Sequence, residues 1–434
     1  MKNTSRLRRP VKLLSNLFSA GLLALAMGQT AFAQDSQNPT EEEYQPVQQF
    51  GGPSSVPGQL ADDRRLSDSL TDVDMPEIWA EWKKRLLEEH GFDFTVDYNV
   101  NALHATNTIN DEDNFAGGVI RAFGQWDLTG RESGNTGSFI WKIENRHGYT
   151  DLAPNQVKSE IGYVGLISPV WSDIGGRLTN LYWKQLLNQK RVEIIAGFID
   201  TTDWIDVYAL APPWAGFQNF AFATGSATIA PPDEAALGAY VNAMITDNIY
   251  VIAGFADLNS DSTHPFDGFD TFFNQHEFLK TIEFGHVTSR DRFFLDNAHI
   301  TFWHADEREI AGVNKGWGVS FSWSHSFDEK WMPFVRGGYA KDGGTFLQKS
   351  LSTGMAYHWG ENNSMVGLGF NWNEPNEDTL GPGLKNQTAV EVFSRLQVMA
   401  NFQLTPHVHY VRNPALNPDA SHSWVFGLRA RVHF

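Results

Sequence analysis

The stretch SHSWVFGLRARVHF, residues Ser421–Phe434, carries an apolar side chain at every second position. Trp424 and Phe426 belong to the apolar set, and Arg429 and Arg431 belong to the polar set between them. Because successive side chains of a β-strand point to opposite faces, this stretch predicts a strand with one apolar and one cationic face. Two settings fit such a strand: the edge of a soluble β-sandwich, or the wall of a membrane barrel.

The same alternation recurs from Phe92 to Phe434. It is clearest in Trp317–Phe327, where aromatic and apolar residues alternate with Gly and Ser. About sixteen such segments fit between Phe92 and Phe434 if each spanning strand takes about nine to eleven residues. Short polar turns alternate with longer links, as in a barrel with tight periplasmic turns and larger outer loops. The pattern predicts an all-β fold: a transmembrane antiparallel β-barrel of about 16 strands over residues 92–434.

The alternate positions between the apolar residues of these segments carry Ser, Gly, Asn, Asp, Glu and Arg. In a dry core such groups would lack partners at a cost of about 1–3 kcal/mol each, so we expect a water-filled lumen. A barrel of about sixteen strands is wide enough for an aqueous channel. Strand parity then selects the candidate pore-lining residues, which are Arg121, Lys142, Glu144, Arg146, Glu193, Glu391, Arg395, Arg429 and Arg431.

The first 91 residues of the chain precede this pattern. Residues 1–33 have a basic start, an apolar run and the cleavage signature Ala31-Phe32-Ala33, which predicts a signal peptide. Residues 34–75 are acidic and rich in Pro, Gly and Gln, which predicts a flexible leader, either a periplasmic spacer or a solvated tail.

Residues 76–91 predict a short amphipathic helix. Ile78, Trp79 and Trp82 lie at helical spacing, Pro76 suits the first turn, and Gly91 stops the helix. A helix this short is marginal alone in water, so its apolar stripe must dock on something. It either forms a plug or plinth at one barrel mouth or packs on a soluble domain.

Residues 201–234 form the longest irregular stretch between predicted strands. A loop this long inside a compact domain usually has a function, and in a pore it would fold inward as a constriction loop. Flat aromatic rings stack on sugar rings while polar groups pair with hydroxyls. The alternative is an outer loop packed on its own aromatics. The candidate sugar contacts are Trp204, Asp206, Tyr208, Trp214 and Asn219.

Composition narrows the chemistry. The 434 residues include no cysteine, and their net charge is −18, which disfavours nucleic acid as a partner. His407 and His409 are two residues apart on one strand face, but no third ligand is evident, so we expect no metal site. Because no phosphate loop, nucleophile elbow or dinucleotide loop occurs, we expect neither an enzyme nor a cofactor.

Three segments together resemble the carbohydrate-selective porins of the OprB family. WKKRLLEEHGF (Trp82–Phe92) resembles the family's N-terminal helix, although Lys83-Lys84 replaces its usual Gly pair. The stretch Arg191–Ala209 with Phe217–Phe222 resembles its strand and constriction region. QTAVEVFSRLQVMANFQLTPHVHYVRNPA, residues 387–415, resembles its closing segment most strongly. A C-terminal strand ending on Phe also resembles the closing strand of outer-membrane barrels, where it is part of the assembly signal.

This resemblance implies a passive channel for mono- and small oligosaccharides in the outer membrane of a Gram-negative bacterium. Its partners would be sugars, outer-membrane lipid and lipopolysaccharide, and the barrel assembly machinery. A general diffusion porin without sugar selectivity remains the alternative function. A monomer and a homotrimer both remain open.

Overall fold

The structure is a computed structural model that describes residues 50–64, 69–71, 77–359 and 363–434. The predicted signal peptide and residues 34–49 of the predicted leader lie outside this range. Among the described residues, no helix has both the length and the hydropathy needed to cross a membrane.

Sixteen strands of the described chain form a closed antiparallel barrel, which confirms the predicted fold. Each strand pairs with its neighbours in sequence, and β1 pairs with β16 to close the ring. The strands are β1 Phe92–Ala105, β2 Asn114–Thr129, β3 Gly137–Gly148, β4 Gly175–Leu187, β5 Val192–Ile199, β6 Ala236–Met244, β7 Ile249–Asp257, β8 Phe278–Val287, β9 Asn297–Ala305, β10 Gly316–Ser324, β11 Trp331–Lys341, β12 Leu347–His358, β13 Met365–Pro375, β14 Gln387–Met399, β15 Phe402–Arg412 and β16 His422–His433.

The two ends of the barrel differ in the lengths of their connections. One end carries short turns such as residues 188–191 and 245–248, and the other carries the long loops 149–174, 200–235 and 258–277. Short turns are periplasmic and long loops extracellular in bacterial outer-membrane barrels, so the short-turn end is called the periplasmic side below.

The two faces of the wall follow the predicted parity. On β16, Trp424, Phe426 and Leu428 are exposed on the outer face. Arg429 and Arg431 are buried on the inner face. The apolar outer surface suits lipid, and the closed ladder leaves the wall without an open sheet edge.

The interior differs from the expected water-filled lumen, because loops and an N-terminal segment fill much of it. Small residues on the inner wall give them room. A Cβ built at Gly338 would lie 2.0 Å from Thr228 Oγ1, and one at Gly369 would lie 2.7 Å from Phe222 Cε1. Ser352 Oγ donates to the carbonyl of Ala221 at 2.7 Å. The small inner residues therefore accommodate a folded loop.

In the part of the chain that the structure describes, five helices lie outside the wall strands. They are α1 Val56–Asp63, α2 Glu77–His90, α3 Val157–Ile161, α4 Gly268–Asp270 and α5 Glu377–Leu380. Single 3₁₀ turns occur at Pro154–Gln156, Thr201–Asp203, Phe220–Phe222, Thr224–Ala227, Pro265–Asp267 and Arg290–Arg292, and a π turn occurs at Thr271–Gln275.

The leader prediction differs from the structure at residues 50–64. Phe50, Val56 and Leu60 are buried in one apolar cluster with wall residues such as Phe123. Composition alone indicated a solvated segment because its apolar partners belong to the barrel, far away in sequence. Ser55 accepts from the N–H of Gly58 and caps α1.

Helix α2 lies on the outer periplasmic rim and does not enter the barrel mouth. Trp79 and Trp82 pack edge-on against Phe94, with ring centroids 6.3 and 5.8 Å away. Phe94 belongs to the outer parity of β1. Gly91 ends the helix with φ of +68°, a conformation that suits glycine at this position.

The lipid-facing wall predicts a depth-dependent penalty for charge. Phe321→Arg, near the middle of β10, should destabilise the barrel by about 2–4 kcal/mol, whereas Trp317→Arg at the strand end should cost about 0–1 kcal/mol. Both variants replace an exposed aromatic side chain of the same strand. Loss of a ring therefore contributes to both penalties, and the difference between them reports the depth in the membrane. Urea unfolding from lipid vesicles measures the difference, and equal penalties would contradict the assigned depth.

Candidate functional site

The connection between β5 and β6, residues 200–235 and called the inner loop below, runs inside the barrel. It contacts wall strands on several sides and lies against the extracellular loop 149–174, where Phe220 N–H donates to the carbonyl of Leu166 at 2.9 Å. The side chains of Trp204, Asp206 and Tyr208 are at most 1% exposed. The inner loop therefore lies within the barrel and is packed against its wall.

The first anchor of the inner loop is Asp206, which reaches β8, β9 and β11. Its backbone N–H donates to Glu283 Oε2 at 2.7 Å, and its Oδ1 lies 2.9 Å from His299 Nε2. Its other carboxylate oxygen pairs with Arg336. Asp206 has φ of +54°, which turns its carboxylate and N–H toward the wall together. One loop residue thereby ties three strands.

Arg336 on β11 joins two parts of the inner loop. Its Nη2 donates to the carbonyls of Asp206 at 2.8 Å and Ala223 at 3.2 Å. Its guanidinium lies 4.0 Å from the centre of the Tyr208 ring, and the Tyr208 hydroxyl donates to the Phe222 carbonyl at 2.7 Å. A planar guanidinium suits this combination of several acceptors and an aromatic face.

The second anchor lies on the opposite part of the wall. Glu391 of β14 accepts from the consecutive N–H groups of Gln218 at 2.8 Å and Asn219 at 2.9 Å. Arg429 of β16 donates to the carbonyl of Gly216 at 3.2 Å. The inner loop is therefore held on both sides of the lumen.

Trp214, near the middle of the inner loop in sequence, lies beside β2. The guanidinium of Arg121 is 3.8 Å from the centre of its ring, a cation–π contact. Arg121 also donates from Nε to Asp97 at 2.8 Å. Trp171 of the extracellular loop packs against Trp214 with ring centroids 5.2 Å apart.

The third anchor closes the stem of the loop before β6. Arg146 donates to Glu234 at 2.7 Å, and Arg177 donates to Asp233 at 2.6 Å and also pairs with Glu234. Burial favours a raised pKa for Glu234, but Arg146 and Arg177 outweigh it and lower that pKa to about 2. Glu234 therefore stays charged over the physiological range.

The predicted pore-lining residues all lie on the inner face, where each has partners within the protein. Arg431 pairs with Asp97 and Asp63. The remaining contacts are these: Lys142 lies 4.0 Å from Asp203, Glu144 pairs with Arg146, Glu193 accepts from Asn242 at 2.9 Å, and Arg395 donates to the carbonyl of Asn363 at 2.7 Å.

The predicted sugar contacts act as loop anchors in this conformation. Asp206 and Tyr208 bind Arg336, Trp214 stacks on Arg121, and Asn219 caps the turn Phe220–Phe222 through the N–H of Ala221. Trp204 is buried in the cluster that contains Phe50. All these side chains turn toward protein and hold the loop in position.

Sequence reasoning missed four buried wall residues that make several of these contacts: Asp97, Glu283, His299 and Arg336. Each occupies an inner position of a strand, so strand parity could have selected them. His407 and His409 lie 3.1 Å apart, with His409 3.6 Å from Glu391. Within the described ranges, no group of three or more His, Asp or Glu side chains is arranged to hold a metal ion.

The closed barrel with an inward-folded, multiply anchored loop defines the porin class of outer-membrane proteins. The sequence profile of the family described as carbohydrate-selective porin, OprB family, matches residues 80–308 and 313–434. The chain belongs to this family. Family and fold together indicate an outer-membrane protein of Gram-negative bacteria.

This chain is also similar to individual porins. Porin AaxA of Chlamydia abortus is 24% identical over 224 residues, which cover 50% of this chain and 48% of that porin. The alignment thus spans about half of that relative's length. Pseudomonas putida OprB at high pH has a TM-score of 0.65 at 15% identity, covering 85% of this chain and 99% of that one. A mutant of Rh. blastica porin has a TM-score of 0.50 at 12% identity, covering 79% and 100%.

Removal of the Arg336 side chain should release the inner loop. Breaking a buried ion pair costs about 3–5 kcal/mol because the remaining charge loses its partner. Arg336→Gln should therefore raise single-channel conductance in planar bilayers while heat-modifiable migration still reports a folded barrel. Lys349→Gln, which breaks the exposed Lys349–Glu374 pair, is the matched control and should leave conductance unchanged. Equal conductance of both variants would contradict the anchoring role of Arg336.

The depressed pKa of Glu234 predicts a specific pH dependence. A carboxyl with a lowered pKa contributes stability that is complete above its ordinary pKa of 4.5 and is lost as the pH falls toward about 2. Glu234→Gln should lower the melting temperature at pH 7 by an amount that disappears near pH 2. Glu132→Gln, at an exposed turn residue, is the control. A difference independent of pH would rule out the charge as its cause.

Proposed function

We propose that this protein lets mono- and small oligosaccharides diffuse passively across the outer membrane, without energy coupling and without chemical change of the sugar. The observation that carries the proposal is the inner loop, which is tied to β8, β9 and β11 on one side and to β14 and β16 on the other. A loop held across the lumen narrows the route that a solute must follow.

The polar chemistry of the narrowed region supports sugars as solutes. Nε and Nη2 of Arg429 and Nη1 of Arg121 are buried with no hydrogen-bond partner among the described residues. Such donors gain from a hydroxyl oxygen, because an unpaired buried donor costs about 1–3 kcal/mol. Sugars present many hydroxyls that both donate and accept, so a sugar can satisfy such donors once movement of the inner loop exposes them.

A second candidate is a general diffusion porin without sugar selectivity. It is favoured by the burial of Trp204 and Tyr208, whose rings pack against protein in this conformation. Selectivity would then depend on size and charge alone.

The surroundings of the barrel are part of the same proposal. The exposed aromatic and aliphatic outer face suits outer-membrane lipid and lipopolysaccharide. The apolar outer face of β16 suits recognition by the barrel assembly machinery. Detergent-corrected mass measurement distinguishes a monomer from a homotrimer.

Sugar titration in planar bilayers tests the proposal. Single-channel current should fall as a monosaccharide is added, and swelling of proteoliposomes should slow from mono- to di- to trisaccharides. A reference general porin in the same lipid is the control. Ion current that no sugar reduces would support the general diffusion porin, and absence of any current from folded protein would exclude a channel.

A further inference from the structure

The segment Phe50–Arg64, called the strap below, crosses the interior of the barrel. At one end, the Phe50 ring packs against Phe293 in the turn between β8 and β9, with centroids 5.5 Å apart. At the other end, Asp63 pairs with Arg431 of β16, and Arg64 pairs with Asp93 of β1 at 3.2 Å. In a ring of sixteen strands, β9 lies opposite β1, so the strap spans the full width of the lumen.

The strap lies on the periplasmic side of the inner loop. Asp93 is near the periplasmic start of β1, Arg431 is near the periplasmic end of β16, and the turn that contains Phe293 is a periplasmic turn. The N–H of Gly52 donates to the carbonyl of Asp203 at 2.8 Å, which joins the strap to the beginning of the inner loop. A solute that passes the inner loop therefore meets the strap next.

The strap fits its surroundings closely. Val56 and Leu60 are at most 2% exposed, and α1 packs against β1, β2 and β3. A Cβ built at Gly52 would lie 2.8 Å from Val207 Cγ1, so glycine is required for this approach. The strap precedes the match to the OprB family profile, which begins at residue 80. It therefore lies outside the part of the chain that the family profile matches.

The polar attachment of the strap can be broken without leaving a wall charge unpaired. Arg431 donates to both Asp63 and Asp97, and Asp97 also pairs with Arg121. Loss of the Asp63 carboxylate leaves Arg431 paired with Asp97. The Asp63 contact can therefore be removed without breaking the ion pairs that wall residues form with each other.

We propose that the strap is a built-in gate that blocks the periplasmic half of the pore and that conduction requires it to move aside. This inference rests on the proposed channel function. The strap is held by ion pairs at Asp63 and Arg64, a backbone hydrogen bond at Gly52, and side-chain packing of Phe50, Val56 and Leu60, whereas the barrel wall is held by continuous strand pairing. The strap can therefore leave its position while the barrel remains intact.

Two variants that act by different means test the gate in single-channel recordings. Asp63→Asn removes the ion pair and should raise the open fraction about tenfold, since a charge-assisted hydrogen bond is worth about that factor. Gly52→Leu should raise it through the clash with Val207. Asp151→Asn removes the same charge at an exposed residue of the extracellular loop 149–174 and should leave the open fraction unchanged.

A reversible crosslink tests the gate in the opposite direction. The chain has no cysteine, so Gly52→Cys with Val207→Cys introduces a single pair. The Cβ positions are 2.9 Å apart and need to separate by only about 1 Å to reach disulfide geometry. Oxidation should hold the strap against the inner loop and lower conductance, and dithiothreitol should restore it.

The outcomes separate this inference from the proposed function. If Asp63→Asn, Gly52→Leu and the oxidised pair all conduct like the parent protein and sugars still reduce the current, the strap lies beside the route and the gate is wrong, while the sugar channel stands. If the variants open the pore but no sugar reduces their current, the gate stands and the sugar proposal fails.

Discussion

Every backbone N–H and C=O of a spanning strand must find its partner within the protein, because the hydrocarbon interior of a bilayer offers none. Here the pairing of β1 with β16 satisfies this constraint, with Tyr98 opposite Val432 and Asn101 opposite Arg429. Closure leaves the wall with one face toward lipid and one face toward the lumen. The alternating sequence, the exposed aromatic belt and the inward charges all follow from this ring.

The inner face then faces a second constraint, since charges that are removed from water need partners. Asp97, Arg121 and Arg431 meet it on the wall itself, while Arg336 and Glu391 meet it by binding the inner loop. The same ion pairs that make buried charge tolerable thus fix the shape of the route. These contacts therefore determine both how the wall charges are paired and where the inner loop lies in the pore.

Strand parity predicted most of the fold from sequence, because a period of two is a local property that each segment displays by itself. It also identified inward residues such as Glu391 and Arg429 correctly. It could not identify what they bind, since their partners, such as Gln218, come from a loop without periodicity. For the same reason composition classed residues 50–64 as solvated, although Phe50 and Leu60 are buried against residues of the distant wall. Contacts between remote segments require the three-dimensional arrangement.

The anchors of the inner loop and of the strap have a consequence for the order of folding. Asp206 binds Arg336, which lies 130 residues later, Gln218 binds Glu391, 173 residues later, and Asp63 binds Arg431, 368 residues later. Contacts of such separation form late, because the chain between them must first be brought together. We therefore expect the loop and the N-terminal segment to take their final positions after the last strands have joined the wall. In this order the barrel closes first, and the lumen is narrowed from within at the end of assembly.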